Sequence, residues 1–148
     1  MVVFEDEFRK SKGHPIEYKG KILRRWDKFP LENKSQKLKV VFESTNSEWC
    51  QGISLKTDKG IEVNGKLFKE SIGLWENTAP KEVEIICKSK NGELEVVNVW
   101  STGDGVIHSW LNGAAMIVEE LPNGRRYKCN DAHPDDNFDD IIFRIERC

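Results

Sequence analysis

Three features of the sequence predict an all-β chain, an antiparallel β-sandwich or jelly roll built from successive hairpins with little helix. Asn-Gly pairs recur at positions 64–65, 91–92, 112–113 and 123–124, between apolar segments. Both residues of such a pair tolerate the positive φ of a type I′ turn, whose twist matches the strands it joins. Apolar and polar residues also alternate with a period of two, most cleanly near the C-terminus, as in a half-buried strand. Finally, no segment sustains apolar residues at i, i+3, i+4 and i+7. The best helical candidates, residues 33–43 and 114–121, are short and carry the β-branched side chains that favour strands.

Taken in order, Val2, Val3 and Phe4 form a short terminal strand candidate ahead of an acidic stretch and a turn at residues 11–13. A hairpin is expected around Lys19-Gly20, with Ile16, Tyr18, Ile22 and Leu23 facing inward. Residues 29–37 read as a surface loop, and β character resumes at residues 38–42. Trp49 opens a strand in which Ile53 and Leu55 share the inner face. The Asn64-Gly65 turn pairs Ile61 with Phe68 and Glu62 with Leu67. Residues 72–75 form a further short strand before a turn at 77–80.

The Asn91-Gly92 pair predicts a central hairpin in which Lys90 faces Glu93, Cys87 opposes Val96, Ile85 opposes Asn98 and Val83 opposes Trp100. One face of that hairpin is mostly apolar and the other carries charge, so turn position and alternation agree on the register. By the same rule Asn112-Gly113 opposes Leu111 to Ala114, Ser109 to Met116 and Ile107 to Val118. Asn123-Gly124 places Glu119 across from Lys128. In the closing strand, residues 138–145, Ile141, Phe143 and Ile145 share one face.

The 148 residues suit a single β-sandwich domain spanning 1–148, long enough to bury a core without staples. With 23 basic against 25 acidic residues there is no global basic field, so nucleic acid is not an expected partner. No apolar run approaches the roughly 20 residues of a membrane span, and no secretory leader is visible, so no membrane association and a cytoplasmic location are expected. Cys50, Cys87, Cys129 and Cys148 are far apart, and Cys87 falls at a core position of a strand. Reduced thiols are expected rather than a disulfide framework.

The densest acidic cluster is Asp131 with Asp135, Asp136, Asp139 and Asp140. Hard oxygen ligands on a loop suit Ca²⁺, so Asp135, Asp136, Asp139 and Asp140 are candidate metal ligands, although the spacing is not that of an EF-hand. Cys129 and His133 offer two zinc-type ligands without a C-x-x-C partner. Five tryptophans supply flat faces of the kind that sugars stack on. Trp75, Trp100, His108 and Trp110 are the candidate ligand-binding residues, with core packing the competing role for Trp100. If Ile107 and Met116 face the core, Trp110 and His108 line an outer surface beside Ala115. The carboxylate pairs Glu82/Glu84 and Glu93/Glu95 are the only material for glycoside hydrolysis, and solvation explains them equally well. No G-x-S-x-G elbow or glycine-rich phosphate loop is present.

Two motifs carry a resemblance. Residues 109–113, SWLNG, resemble the late hairpin of concanavalin-type lectin and glucanase sandwiches, and residues 138–141, FDDI, resemble the opening of their last strand. Residues 135–143 also resemble the closing acidic strand of some calcium-associated bacterial sandwich domains. The resemblance implies a lectin-like sandwich whose concave face holds a saccharide. It carries no active residues across, because the E-x-D-x-x-E strand of the related glucanases is absent. The expected function is therefore a non-catalytic binding module for a carbohydrate or other polar small ligand. The alternatives are a protein-interaction domain using an exposed sheet edge and a glycoside hydrolase-like enzyme.

Overall fold

The computed structural model describes residues 3–103, 105–109, 112–133 and 135–148. In chain order its elements are α1 (Glu5–Lys10), β1 (Ile16–Tyr18), β2 (Lys21–Leu23), β3 (Asp27–Pro30), β4 (Ser35–Thr45), β5 (Cys50–Lys56), β6 (Ile61–Val63) and β7 (Lys66–Phe68). They continue with β8 (Ile72–Trp75), β9 (Glu82–Lys88), β10 (Glu93–Ser101), β11 (Ile107–His108), β12 (Ala115–Leu121), β13 (Gly124–Asn130) and β14 (Ile141–Arg147). The chain is all-β and sandwich-like. A seven-stranded antiparallel sheet runs in the order β12-β13-β14-β4-β9-β6-β7. A five-stranded sheet runs β11-β10-β5-β8, with β3 pairing β10, and β1-β2 form a separate hairpin.

The core lies between the two inner faces. Leu38, Val40, Val83, Ile85, Cys87, Tyr127, Phe143 and Ile145 of the large sheet meet Phe29, Ile53, Leu55, Leu94 and Val96 of the smaller one. Burial of this apolar surface, roughly 25 cal/mol per Å² removed from water, is the main force holding the sheets together. The outer face of the large sheet is charged, with Lys37 beside Glu84 and Lys39 beside Glu82. A smaller cluster of Phe4, Phe8, Leu23, Ala115 and Phe138 packs below β12, where β2 is fastened by a two-way backbone bridge between Arg24 and Met116.

Two turns follow the sequence rule. Lys19-Gly20 (φ 48° and 79°) joins β1 to β2, and Asn64-Gly65 (φ 52° and 80°) joins β6 to β7 in the expected register, with Ile61 opposite Phe68. In the first hairpin Leu23 is buried, whereas Ile22 is 52% exposed rather than inward. The closing strand also alternates as expected, with Ile141, Phe143 and Ile145 fully buried.

The central hairpin is not there. β9 pairs with β4 and β6, and β10 pairs with β3, β5 and β11, so Asn91-Gly92 carries the chain from one sheet to the other. Only Gly92 of the pair has a positive φ, and the corner is held by side chains instead. Asp58 accepts the N–H groups of Lys90 and Asn91, and Ser89 Oγ accepts that of Gly92. The residues around Asn112-Gly113 likewise pass between sheets, since β11 pairs with β10 and β12 with β13. Between β12 and β13 the turn is Pro122-Asn123, so Glu119 faces Arg126 rather than Lys128, although its carboxylate still lies 3.2 Å from Lys128 Nζ. Gly124 serves the strand rather than the turn: a Cβ there would lie 1.8 Å from the Ile145 carbonyl oxygen.

The N-terminal stretch differs too. Residues 5–10 form a helix whose first turn carries Glu5, Asp6 and Glu7, where carboxylates favour the dipole, and whose last turn carries Arg9 and Lys10. Asn112 O accepts the Phe4 and Glu5 N–H groups and ties this end down. All four cysteines are free, and burial pushes the Cys87 thiol up to about 12. Among the described residues no helix is long and apolar enough to cross a membrane.

Candidate functional site

The interior of the sandwich turns polar at one end. On the inner face of β10, Leu94 and Val96 give way to Asn98 and Trp100, and on β5 Leu55 and Ile53 give way to Gln51, which sits opposite Trp100. Of the nine buried polar residues among those described, Gln51, Asn98, Asn130, Asp131 and Asp140 converge here. Such groups are costly to bury unless each finds a partner, so their concentration at one place points to a built site.

Asp131, fully buried just past the end of β13, is the centre. Its Oδ2 accepts the Ser47 hydroxyl at 2.6 Å and the Gln51 amide at 3.0 Å. Its Oδ1 accepts the His133 backbone N–H at 3.0 Å and lies 2.7 Å from His133 Nδ1. Burial opposes ionisation of this carboxyl, but the hydrogen bonds from Ser47 and His133 outweigh it and hold its pKa below the usual value. An ionised carboxylate only accepts, so Nδ1 carries the proton and Nε2 is directed outward, 3.4 Å from Glu48 Oε1. Burial alone lowers the pKa of His133, yet the bonds to Asp131 and Glu48 raise it overall. Its ring stacks on Trp49 at 4.0 Å.

The rest of the loop is fixed from below. Both ends of the Asn130 amide are used, donating to the Asp135 carbonyl and accepting the Phe138 N–H. Phe138 is buried at φ 54°, a left-handed conformation that a bulky residue adopts only when its surroundings impose it. Asp140 accepts the Asp131 N–H at 2.9 Å. Burial is the main reason its carboxyl is pushed up to about 7, with the Asp131 charge acting in the same direction. Above these residues lies a shallow cleft of 470 Å³ lined by Thr45, Asn46, Ser47, Glu48, His133, Asp135 and Asp140.

Of the expected calcium ligands Asp135 and Asp140 line this cleft, and Asp136 and Asp139 do not. Asp136 faces Tyr18 and Lys19, Asp139 accepts from Asn46, Asp135 accepts the Asn137 N–H, and Asp140 accepts from Asp131. Gathering the six to eight oxygens that Ca²⁺ takes would require these carboxylates to leave those partners. Asp131, His133 and Asp140 do present ligand atoms within 4.8 Å of one another. A cation there would have to displace hydrogen bonds that already occupy both oxygens of Asp131. Cys129 is not a zinc-type partner of His133, because its thiol is wholly buried in the core and burial raises its pKa well above normal.

The aromatic candidates separate as well. Trp100, 1% exposed, is an inner wall rather than a ligand contact, and Trp75 lies on the opposite face of the same sheet with its ring against Gly52. His108 is half-buried and stacks on Trp100 at 6.2 Å, while Ile107 is 63% exposed. The expected orientation of this pair is thus reversed, because β11 pairs with β10 instead of β12. Trp110 lies outside the described residues. Glu82, Glu84 and Glu93 belong to surface ion pairs with Lys39, Lys37 and Lys28.

Sequence reasoning missed Ser47, Glu48 and Gln51. A signal existed for Gln51, whose odd-numbered position shares the inward face of Ile53 and Leu55. Comparison with family models, curated proteins and solved structures found no match.

Proposed function

We propose that this chain is a non-catalytic binding module that takes a small, hydroxyl-rich ligand, a saccharide in the first instance, in the cleft between residues 45–48 and His133, Asp135 and Asp140. The observation that supports it is the locked Asp131 carboxylate. It holds His133, whose ring Trp49 backs at 4.0 Å, and so presents a flat imidazole beside the polar side chains of Asn46, Glu48 and Asp135. Saccharide sites combine such a face with convergent hydrogen-bonding groups.

Hydrolysis is the weaker reading. Asp140 has the raised pKa of an acid catalyst, but its carboxylate neighbour Asp131 is fully buried with both oxygens occupied, so the two do not flank a substrate bond. Protein recognition through a sheet edge is favoured by one observation, the exposure of Val106 and Ile107 beside the edge strand β11.

Glycan-array binding followed by calorimetry tests the proposal. Trp49→Ala and Glu48→Gln should each weaken saccharide binding tenfold or more while the far-UV spectrum is unchanged. His108→Ala should leave it intact. Equal binding by wild type and Trp49→Ala would reject the cleft. A concentration-dependent elution shift abolished by Ile107→Lys would favour the sheet edge.

A further inference from the structure

Charge is unevenly distributed along the chain. Residues 9–28 hold eight Lys or Arg against Glu17 and Asp27, although the whole chain is slightly acidic. A cleft of 410 Å³ gathers part of this charge, with Lys12, His14, Arg24, Lys28 and Arg125 around the indole of Trp26. The lining carboxylate, Asp27, is buried and already committed, accepting from Arg125 at 2.9 Å and from the Tyr127 hydroxyl at 2.6 Å.

Two cations of the cleft differ from the others. Among the described residues Lys12 and Arg24 have no ion pair, whereas Arg125 is held by Asp27 and Glu120, and Lys28 lies 3.7 Å from Glu93. Arg24 is half-buried, so its guanidinium has lost part of its hydration without a carboxylate in exchange. Its backbone is fixed by the two-way bridge to Met116 (2.9 and 2.8 Å), which mounts the side chain on a rigid element. Trp26 is 44% exposed, and Arg25 lies over its ring with its centre 4.9 Å from the centroid. Arg25 also packs against Gly13, where a Cβ would lie 2.9 Å from its Nη2, so the wall of the cleft is braced.

From these observations we propose that the Lys12, Arg24, Trp26 and Lys28 cleft is a second binding site, for a sulfate or phosphate ester carried on a sugar ring. Unpaired Arg and Lys groups match the geometry and charge of such an oxyanion. An exposed indole edge beside them offers apolar contact to the ring that carries it. The cluster is too small to follow a nucleic acid backbone, which needs a charged track over many phosphates.

Calorimetry on the full chain decides the matter, using glucose 6-phosphate and N-acetylglucosamine 6-sulfate as the two ester sources. Glucose, inorganic phosphate and a single-stranded oligonucleotide serve as comparisons. At least one ester should bind tenfold or more tightly than glucose, and Arg24→Gln should cost it about tenfold or more, as loss of a charge-assisted hydrogen bond does. Trp26→Ala should weaken the ester but not inorganic phosphate, and Lys66→Gln, exposed and lining neither cleft, should change neither. If Arg24→Gln does not fold, Lys12→Gln replaces it with the same expected loss. Equal affinity for glucose, an unaffected Arg24→Gln, or inorganic phosphate binding as tightly as either ester, an adventitious ion only, would each overturn the proposal. Tighter binding of the oligonucleotide would assign the cleft to nucleic acid instead.

Discussion

Asp131 Oδ1 lies 2.7 Å from His133 Nδ1, two residues along the chain, while its other oxygen is held by Ser47 and Gln51, more than eighty positions and exactly eighty positions away in sequence. One carboxylate therefore fastens the 131–140 loop to the start of β5. Asp131→Ala leaves the Ser47, Gln51 and His133 donors without their acceptor in a buried setting, and should destabilise the chain by roughly 3–5 kcal/mol. Asp131→Asn keeps the shape and one acceptor and should cost about 1–3 kcal/mol. Urea unfolding measures both. A loss below about 1 kcal/mol for Asp131→Ala would mean that the network does not hold the loop.

Stability should fall as pH rises through neutrality. The Asp140 carboxyl titrates at 3.8 when unfolded and is pushed up to about 7 by folding, so the folded chain keeps a proton that the unfolded chain has lost. Its contribution is complete below 3.8 and gone once pH passes its folded value. His133 acts with the same sign, because its folded pKa is raised above 6.5 and its stabilisation disappears as pH climbs through that raised value. Asp131 acts oppositely, since its lowered pKa gives stability above 3.8 that is lost on acidification. The melting temperature should therefore be highest in mildly acidic buffer and fall by about 2–6 °C toward pH 8. Asp140→Asn should flatten the part of the fall below pH 7, and an unchanged profile in that variant would remove Asp140 as its source.

The same two sheets show why some of the fold was legible and some was not. At Asn64-Gly65 both turn residues take positive φ, so the turn alone fixes the partners of Ile61 and Glu62. At Asn91-Gly92 the alternation on either side is equally regular, but it has a different origin. Ile85 and Cys87 point into the core from one sheet, and Leu94 and Val96 point into it from the other. Alternation reports which residues face the core, and it is the same whether two strands are neighbours in one sheet or face each other across the sandwich. The acidic loop was visible as a composition, but its partners Ser47 and Gln51 were not, because that pairing depends on how the sheets stack.

Added calcium should not stabilise the chain. The carboxylates of Asp135, Asp136, Asp139 and Asp140 are engaged with Asn137, Lys19, Asn46 and Asp131 respectively, and gathering them around one ion would break those contacts. Thermal melts in millimolar Ca²⁺ and in chelator should agree within about 1 °C, since a ligand at one hundred times its Kd adds about 2.7 kcal/mol and would move the midpoint by several degrees. A rise of that size would show that the loop rearranges into a cation site.

Gly124 and Gly65 offer a final contrast. A Cβ at Gly65 meets nothing within 4 Å, so Gly65→Ala is opposed only by its φ of 80° and should cost about 1 kcal/mol. At Gly124 the obstacle is the neighbouring strand: the added carbon would lie 1.8 Å from Ile145 O and 2.9 Å from its carbonyl carbon. Relief requires β13 and β14 to separate where Gly124 faces Glu146, the end pair of a ladder that also carries Phe143 and Tyr127 in the core. Gly124→Ala should therefore destabilise by more than about 3 kcal/mol, beyond the usual range for a single added methyl. Paired urea titrations of the two alanine variants check the order, and a Gly65→Ala loss equal to or greater than that of Gly124→Ala would contradict the close approach of these strands.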